Sequence, residues 1–310
     1  MVKIIKKDRV VVTGAAGFIG SALCNSLSRE FSVTGLDNLS SGDWSRCNEN
    51  VVKVDADISK IESSTLEALF KDAKYVFHLA AVKLHNQIND YSAIYDSNID
   101  GSRRIFEAAT NAKVEKIVFT SSLYCYGNLG PKAMNETDAL NPQNYYGLSK
   151  AYGEGLLRII AGSSDVDFAI ARLFFIYGPN QFANGGYKSV IIKNMENAKN
   201  KKPLEVYGDG EQSLDYVYID DCIEILIQLA KSNYKGHVNV STGSAVSVKS
   251  ILDTISRLSG EFRVVELPAD WTKGSIRIGE TDLREKALGS RKMLTIEEGL
   301  KKTWDWVVGP

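Results

Sequence analysis

The sequence predicts an α/β protein built on a doubly wound parallel sheet, with a smaller mixed α/β lobe. Three observations lead there. Through the first half of the chain, short β-branched and aromatic runs alternate with longer helical patterns. Those runs are apolar almost throughout, as parallel strands covered on both faces must be. The first run ends in a glycine-rich turn that opens a helix, TGAAGFIGSAL.

In order, the expected strands are Val10–Thr13, Val33–Leu36, Val51–Val54, Tyr75–Leu79, Ile117–Thr120 and Phe168–Leu173. Helices are expected at Ser21–Ser28, Ser64–Phe70, Ala93–Ala112 and Tyr146–Ile160. This is βαβ repetition, so a Rossmann-type sheet follows. After Leu173 the texture changes. A loop carrying Gly178-Pro179 and Gly185-Gly186 precedes a helix at Lys188–Asn200 and a strand-like LEVYGDG. A helix at Asp220–Lys231, a strand at His237–Val240, and helices at Ser247–Leu258 and Ile296–Val307 complete the chain. Residues 1–172, with elements returning at about 215–241, are expected to form the cofactor domain. Residues 173–214 and 242–310 are expected to form the substrate lobe.

Bulk composition removes several classes of function. The 310 residues are 44% hydrophobic and 24% charged, with formal net charge −1. No broad basic field exists to attract nucleic acid or an anionic membrane. No apolar run approaches the roughly 20 residues of a membrane span; FAIARLFFIYG is broken by Arg172. The four cysteines, Cys24, Cys47, Cys125 and Cys222, form no C-x-x-C. The three histidines, His78, His85 and His237, lack ligand spacing, so no metal is expected. MVKIIKKDRVVVTG passes directly into a strand pattern rather than an apolar leader, and a cytoplasmic location is expected.

Gly14, Gly17 and Gly20 give G-x-x-G-x-x-G between a strand and a helix. Gly14 would make the tight turn and Gly17 would let backbone approach a pyrophosphate. Gly20 would let the helix pack close, with phosphates at its positive N-terminus beside Phe18 and Ile19. The plain alternative is a glycine-rich turn with no ligand. Asp37 caps the second strand about 20 residues beyond the glycines, where an acid binds ribose hydroxyls. Asn38 follows, with no cation beside it, so NAD is expected rather than NADP. The plain alternative for Asp37 is a turn aspartate.

QNYYGLSK raises an acid–base question, because a tyrosine and a lysine four apart share a helix face. Tyr146 alone among the 14 tyrosines has Lys or Arg four residues on. Such a pair also suits a plain solvated surface. Ser121 and Ser122 end the fifth strand, at the carboxyl edge where such sheets bind ligands.

The blocks TGAAGFIG, LDNLSSG, VDADIS, VFHLAAVK, SNIDGSRRIFEAA, FTSS, YYGLSK, RLFFIYGP, VYGDGEQ, YVYIDD and EEGLKKTWDW occur in this order. Together they resemble the extended short-chain dehydrogenase/reductases, and within them the nucleotide-sugar group around UDP-glucose 4-epimerase. The resemblance implies that Ser122, Tyr146 and Lys150 are catalytic. It implies that Asp57 and Ile58 flank the adenine, and that Leu79, Ala80, Ala81 and Ser121 line the cofactor. Lys83 would approach the ribose and Asn98 would brace the site. From the residues alone, His78 reads as packing and Asn98 as helix surface. The resemblance also implies a nucleotide-diphosphate sugar substrate and a homodimer formed through the helices at Ala93–Ala112 and Tyr146–Ile160.

Two positions depart from the group's pattern. Phe175 stands where an asparagine usually contacts the diphosphate, and Leu214 where an arginine usually does. Arg277 remains at a third diphosphate position, and Tyr207 and Gln212 would lie near the base. Lys188, Lys193 or Arg291 are candidate replacement charges. Leu123 and Tyr124 follow Ser122 where dehydratase relatives carry Asp-Glu. The expected activity is therefore NAD-dependent 4-epimerisation by transient oxidation at C4. The alternatives are a nucleotide-sugar dehydrogenase or ketoreductase with the same set, and a non-catalytic NAD-binding protein.

Overall fold

The computed structural model describes residues 7–83, 91–128, 130–181, 188–260, 263–269 and 273–309. His85, Gly185 and Gly186 lie outside them. The chain divides into two compact units. The first comprises Met1–Gly127, Leu140–Arg172 and Ile223–Val238. The second comprises Asn128–Ala139, Leu173–Cys222 and Asn239–Pro310.

The first unit alternates β1 (Arg9–Thr13), α1 (Phe18–Leu27), β2 (Ser32–Asp37), β3 (Val52–Asp55), α2 (Ser63–Phe70) and β4 (Ala73–His78). It continues through α3 (Tyr91–Ile94), α4 (Ser102–Asn111), β5 (Lys116–Ser122), α5 (Tyr145–Gly162) and β6 (Asp167–Leu173). Further along come β7 (Phe175–Tyr177), α6 (Val190–Lys199), β8 (Leu204–Tyr207), β9 (Ser213–Leu214) and β10 (Tyr216–Tyr218). The chain ends with α7 (Ile219–Lys231), β11 (Gly236–Val240), β12 (Val246–Ser247), α8 (Val248–Ser259), β13 (Val264–Leu267), β14 (Ile276–Arg277), α9 (Asp282–Leu288) and α10 (Ile296–Val308).

A seven-stranded sheet runs β11-β6-β5-β4-β1-β2-β3. β1 pairs in parallel with both β2 and β4. Strand order reverses between β1 and β4, which is the switch point where a doubly wound sheet binds its ligand. The apolar strand runs account for the core. Val11, Val76, Ile117 and Phe119 pack with Leu66, Phe70, Ile105, Phe106 and Leu157 from α2, α4 and α5. Each large side chain buried this way contributes about 1.5–3 kcal/mol. Lys116, buried at the start of β5, donates to the carbonyls of Leu229, Ser232 and Tyr234 and so caps the end of α7.

Three features differ from the sequence expectation. The helix expected at Ala93–Ala112 contains a π-helical stretch at Tyr95–Gly101. Gly101 lies so close to Ile58 that an added Cβ would come within 2.9 Å of it. Asn128–Ala139 belongs to the second unit, because Met134 exchanges backbone hydrogen bonds with Ile278 and Glu280 there. The expected strand in LEVYGDG is present as β8, which pairs with β13. The second unit also carries two- and three-residue strands that no periodicity announces: β7 pairs with β10, and β9 lies between β12 and β14. Among the described residues, no helix is long and apolar enough to cross a membrane.

Candidate active site

The site grows from the ends of β1 and β4. Gly14 has φ +69°, and a Cβ there would come within 2.7 Å of Ala80 N. The turn after β1 therefore lies directly against the turn after β4. Thr13 ties them: its carbonyl accepts the Leu79 N–H at 3.1 Å and its hydroxyl accepts the Ala80 N–H at 3.3 Å. The same hydroxyl lies 2.7 Å from His78 Nδ1, and His78 Nε2 lies 2.8 Å from the Ser102 hydroxyl. His78 is thus a buried hydrogen-bonded link between β1 and α4, not mere packing. Burial, with Lys150 adding repulsion, holds its imidazole well below the ordinary value and keeps it neutral.

Gly20 also packs close, with an added Cβ only 2.8 Å from the Gly14 carbonyl carbon. Gly17 behaves differently. A Cβ there would meet only the Gly14 carbonyl oxygen, at 3.2 Å. Crowding by the protein accounts for Gly20 but hardly for Gly17, whose bareness fits a ligand cradle. Gly17 caps α1 without a side-chain hydrogen bond, and the first turn, with Phe18 and Ile19, holds no acid. That N-terminus suits a pyrophosphate. Asp37 accepts the Ala16 N–H at 2.9 Å and the Leu39 N–H at 2.8 Å, leaving oxygen lone pairs for ribose hydroxyls. Asn38 turns its carbonyl to the Ser40 N–H.

Asp57 accepts from the Ser59 N–H and hydroxyl, while Ile58 packs into the core. Ala81 is half-buried and Lys83 exposed. Asn98, in the π-helical stretch, is 2% exposed and so is not helix surface. Its amide takes the Val82 N–H at 2.7 Å, gives to the Val82 carbonyl at 2.9 Å, and gives to Ser149 Oγ at 3.0 Å. It joins the turn after β4 to α5.

α5 begins with Asn144, whose side chain accepts the Gly147 N–H at 2.8 Å. Tyr146 and Lys150 follow on one face. Lys150 Nζ donates to the Thr120 carbonyl at 2.8 Å and lies 5.9 Å from the Tyr146 ring centre. Burial brings the Lys150 pKa down to about 7, with Lys83 adding repulsion against the opposing Cys125 and Glu154. Burial likewise pushes the Tyr146 phenol up, helped by Cys125 and Tyr124, while a hydrogen bond with Ser122 opposes the rise. Ser122 caps a single 3-10 turn at Leu123–Cys125. The hydroxyl of Ser121 points the other way and donates to Glu154.

Ser122, Tyr146 and Lys150 therefore converge at the carboxyl end of β5. A hydroxyl, a phenol and an ammonium at this edge can hold a carbinol oxygen and move its proton. Two residues of this neighbourhood escaped sequence reading, Glu154 and Arg172. Both are buried, and Arg172 donates to both carboxylate oxygens of Glu154, at 2.9 and 2.7 Å. The one available signal was Arg172 itself, since a charge inside a buried strand demands a partner.

Residues 10–241 match the model of the NAD dependent epimerase/dehydratase family. The chain belongs to this family. Its cofactor is NAD, in keeping with the glycine turn and Asp37. Among its relatives, the UDP-glucose 4-epimerase of Mycolicibacterium smegmatis is 33% identical over 309 residues, covering 95% of this chain and 97% of that protein. The UDP-N-acetylglucosamine 4-epimerase of Methanobrevibacter ruminantium, solved with UDP-N-acetylmuramic acid, superposes with a TM-score of 0.90 at 31% identity, covering 97% and 98% of the two chains. The UDP-glucose 4-epimerase of Thermus thermophilus, solved with NAD, superposes with a TM-score of 0.87 at 28% identity, covering 97% of this chain and 99% of that one.

The second unit of this family member holds the remaining candidates. Leu214 on β9 is the register partner of Arg277 on β14. Phe175 on β7 is the partner of Tyr216 on β10, with ring centres 6.0 Å apart. Gln212 is buried and donates to the Tyr207 carbonyl at 3.1 Å, while its own carbonyl oxygen has no partner among the described residues. Tyr207 is exposed beneath the Lys193 ammonium. The three candidate replacement charges already face carboxylates: Lys188 meets Glu196, Lys193 meets Glu205, and Arg291 meets Asp221.

Proposed function

We propose that this protein is a nucleotide-sugar 4-epimerase that works by transient oxidation at C4. The observation that carries the reading is the meeting of Ser122, Tyr146 and Lys150 at the end of β5. NAD, when bound, accepts and returns the hydride. Gly14, Gly17 and Gly20, with Phe18 and Ile19, hold its pyrophosphate, and Asp37 and Asn38 hold its adenosine ribose. Asp57, Ile58, Leu79, Ala80, Ala81, Lys83, Asn98 and Ser121 complete its pocket.

Tyr146 removes the O4 proton as phenolate and later restores it. Burial disfavours both charged forms, the phenolate and the ammonium alike. Each charge offsets the other's desolvation when they form together, so the ion pair is the working state. Ser122 holds the sugar oxygen and supports the phenolate. Leu123 and Tyr124 supply no carboxylate for removal of an α-proton, which favours epimerisation over dehydration.

The substrate is a nucleotide-diphosphate sugar. The named relatives act on UDP-sugars, and Arg277 offers a charge-assisted bond of about 1.5–3 kcal/mol to a diphosphate. Tyr207 and Gln212 would lie near the base, and Phe175 and Leu214 would give the diphosphate an apolar wall. That wall motivates a second reading, net oxidation or reduction of a nucleotide sugar with the same catalytic set. Exposed apolar residues along α3 and α5 support a homodimer. Four unpaired, buried cysteines suit a reducing cytoplasm.

Incubation with a panel of UDP-, dTDP-, GDP- and CDP-hexoses tests these readings. Epimerase activity yields C4 epimers with no net absorbance change at the nicotinamide band. A stoichiometric change there selects the second reading, and no turnover of any donor rejects both.

A further inference from the structure

Behind the acid–base groups lies a charge pair that the reaction itself does not use. Glu154 sits on α5 one turn beyond Lys150, on the same face. It is 1% exposed and its partner Arg172, on β6, is 2% exposed. The guanidinium grips the carboxylate through Nε at 2.9 Å and Nη2 at 2.7 Å. Two further contacts reach forward to β5 and the turn after it. The Ser121 hydroxyl donates to Glu154 Oε1. Arg172 Nη1 donates to the Tyr126 hydroxyl at 2.8 Å, with the guanidinium 4.7 Å from that ring's centre.

Ser121 and Tyr126 bound the short stretch that carries Ser122. Cys125, inside it, lies 3.2 Å from the Ser121 hydroxyl and 3.6 Å from the Gly147 carbonyl of α5. We propose that the Glu154–Arg172 pair is a positioning device: it ties both ends of the Ser121–Tyr126 stretch to α5 and so holds the Ser122 hydroxyl against the Tyr146 phenol. This inference rests on the reading of Ser122, Tyr146 and Lys150 given above.

Stability alone does not explain the pair. A buried ion pair can often be replaced by apolar groups of similar volume at no cost to stability, whereas loss of one partner strands a charge. What such a replacement cannot reproduce is the pair of directed bonds to Ser121 and Tyr126. A displacement near 1 Å at the reacting groups can cost about 100-fold in rate.

The test uses the 310-residue chain loaded with NAD and the double variant Glu154→Leu/Arg172→Met. Two quantities are read: kcat and KM for UDP-hexoses, and the midpoint of the tyrosinate absorbance change assigned by subtraction of Tyr146→Phe. The expected result is a cooperative unfolding transition, kcat at least about tenfold lower, and KM within about threefold of the parent. The tyrosinate midpoint should move upward, because the Ser122 hydrogen bond that favours phenolate is loosened. The groups facing that phenol are Ser122, Tyr124, Cys125 and Lys150. The double variant keeps these side chains but removes the Glu154 and Arg172 charges that act on Cys125 and, for Glu154, on Lys150. An upward midpoint in Tyr126→Phe, which keeps both charges, therefore assigns the shift to the loosened hydrogen bond.

Tyr126→Phe is the milder companion, since it keeps the ion pair and removes one tie. A smaller loss of kcat in the same direction is expected, and it decides the matter if the double variant does not fold. Wild-type kcat and an unmoved midpoint in the folded variant overturn the inference. A fully active Tyr146→Phe instead overturns the assignment of the base, and the absorbance midpoint still reports on the positioning device.

Discussion

Lys150 Nζ donates to the Thr120 carbonyl at 2.8 Å while standing 5.9 Å from the centre of the Tyr146 ring. The lysine is thereby fixed to the strand that precedes Ser122, and the tyrosine one turn away on α5 shares its electrostatic environment. Removing either group should leave the cofactor fold intact and damage the chemistry.

Tyr146→Phe deletes the proton carrier and little else. Its kcat for C4 epimerisation should fall by about 10²–10⁴, the usual range for a general acid–base group. NAD affinity should change by less than about threefold, measured by protein fluorescence quenching. Retention of parental kcat would remove Tyr146 from the mechanism.

Lys150→Met isolates the stability effect of a buried ammonium. The folded pKa is depressed to about 7, whereas the unfolded lysine stays near 10.4. Between those values the unfolded chain binds the extra proton. Wild-type stability must therefore rise with pH relative to Lys150→Met, from about pH 7 to about pH 10. The full swing is about 4 kcal/mol. Denaturant unfolding of the cofactor-free proteins across that range measures it, and a flat difference contradicts the burial of Lys150.

Asp37 and Asn38 govern the choice of dinucleotide. A 2′-phosphate would meet the Asp37 carboxylate with no cation at Asn38. Asp37→Ser with Asn38→Arg should shift preference from NAD toward NADP by at least about tenfold. Serine retains a hydroxyl acceptor where Asp37 took the Ala16 N–H. Dissociation constants for both dinucleotides provide the readout, and an unchanged ratio would show that discrimination lies elsewhere.

The parallel strands were legible because burial on both faces leaves an apolar run, as in Val10–Val12 and Ile117–Phe119. The cofactor turn was legible because glycine alone tolerates the Gly14 backbone and its contact with Ala80. Glu154 was not. Its role depends on Arg172, 18 residues away in sequence, and no local periodicity encodes that meeting. Asn98 was hidden for a related reason. A regular helix reading treats it as surface, whereas it lies in the π-helical stretch and is turned onto Val82. The second unit's two- and three-residue strands are too short for any alternation to register.

His78 links Thr13 to Ser102 without charge, and burial keeps its pKa well below 6.5. The unfolded histidine protonates near pH 6.5 and the folded one resists. Stability is thus fully present above that pH and is lost as pH falls. Relative to His78→Asn, which does not titrate, the wild type should lose up to about 1.4 kcal/mol per pH unit below about pH 6. Thermal unfolding from pH 7.5 to 5 checks the slope. Equal slopes in the two proteins would mean that His78 is charged in the folded state.

Tyr145, Leu148, Tyr152 and Ile159 are exposed by 51, 52, 49 and 74% and recur at helical spacing along α5, opposite the face that buries Lys150 and Leu157. Tyr91 and Tyr95 extend the patch, and the Tyr91 and Tyr145 ring centres lie 4.1 Å apart. So much contiguous aromatic surface is unusual on a monomer. A second copy meeting α5 through the same residues would cover it on both sides, as a two-fold interface requires. Light scattering of the wild type should give twice the chain mass at micromolar concentration. Tyr152→Glu with Ile159→Glu should halve that mass while leaving far-ultraviolet circular dichroism unchanged, because neither side chain contributes to the core. A monomeric wild type would leave this surface without a partner and withdraw the dimer.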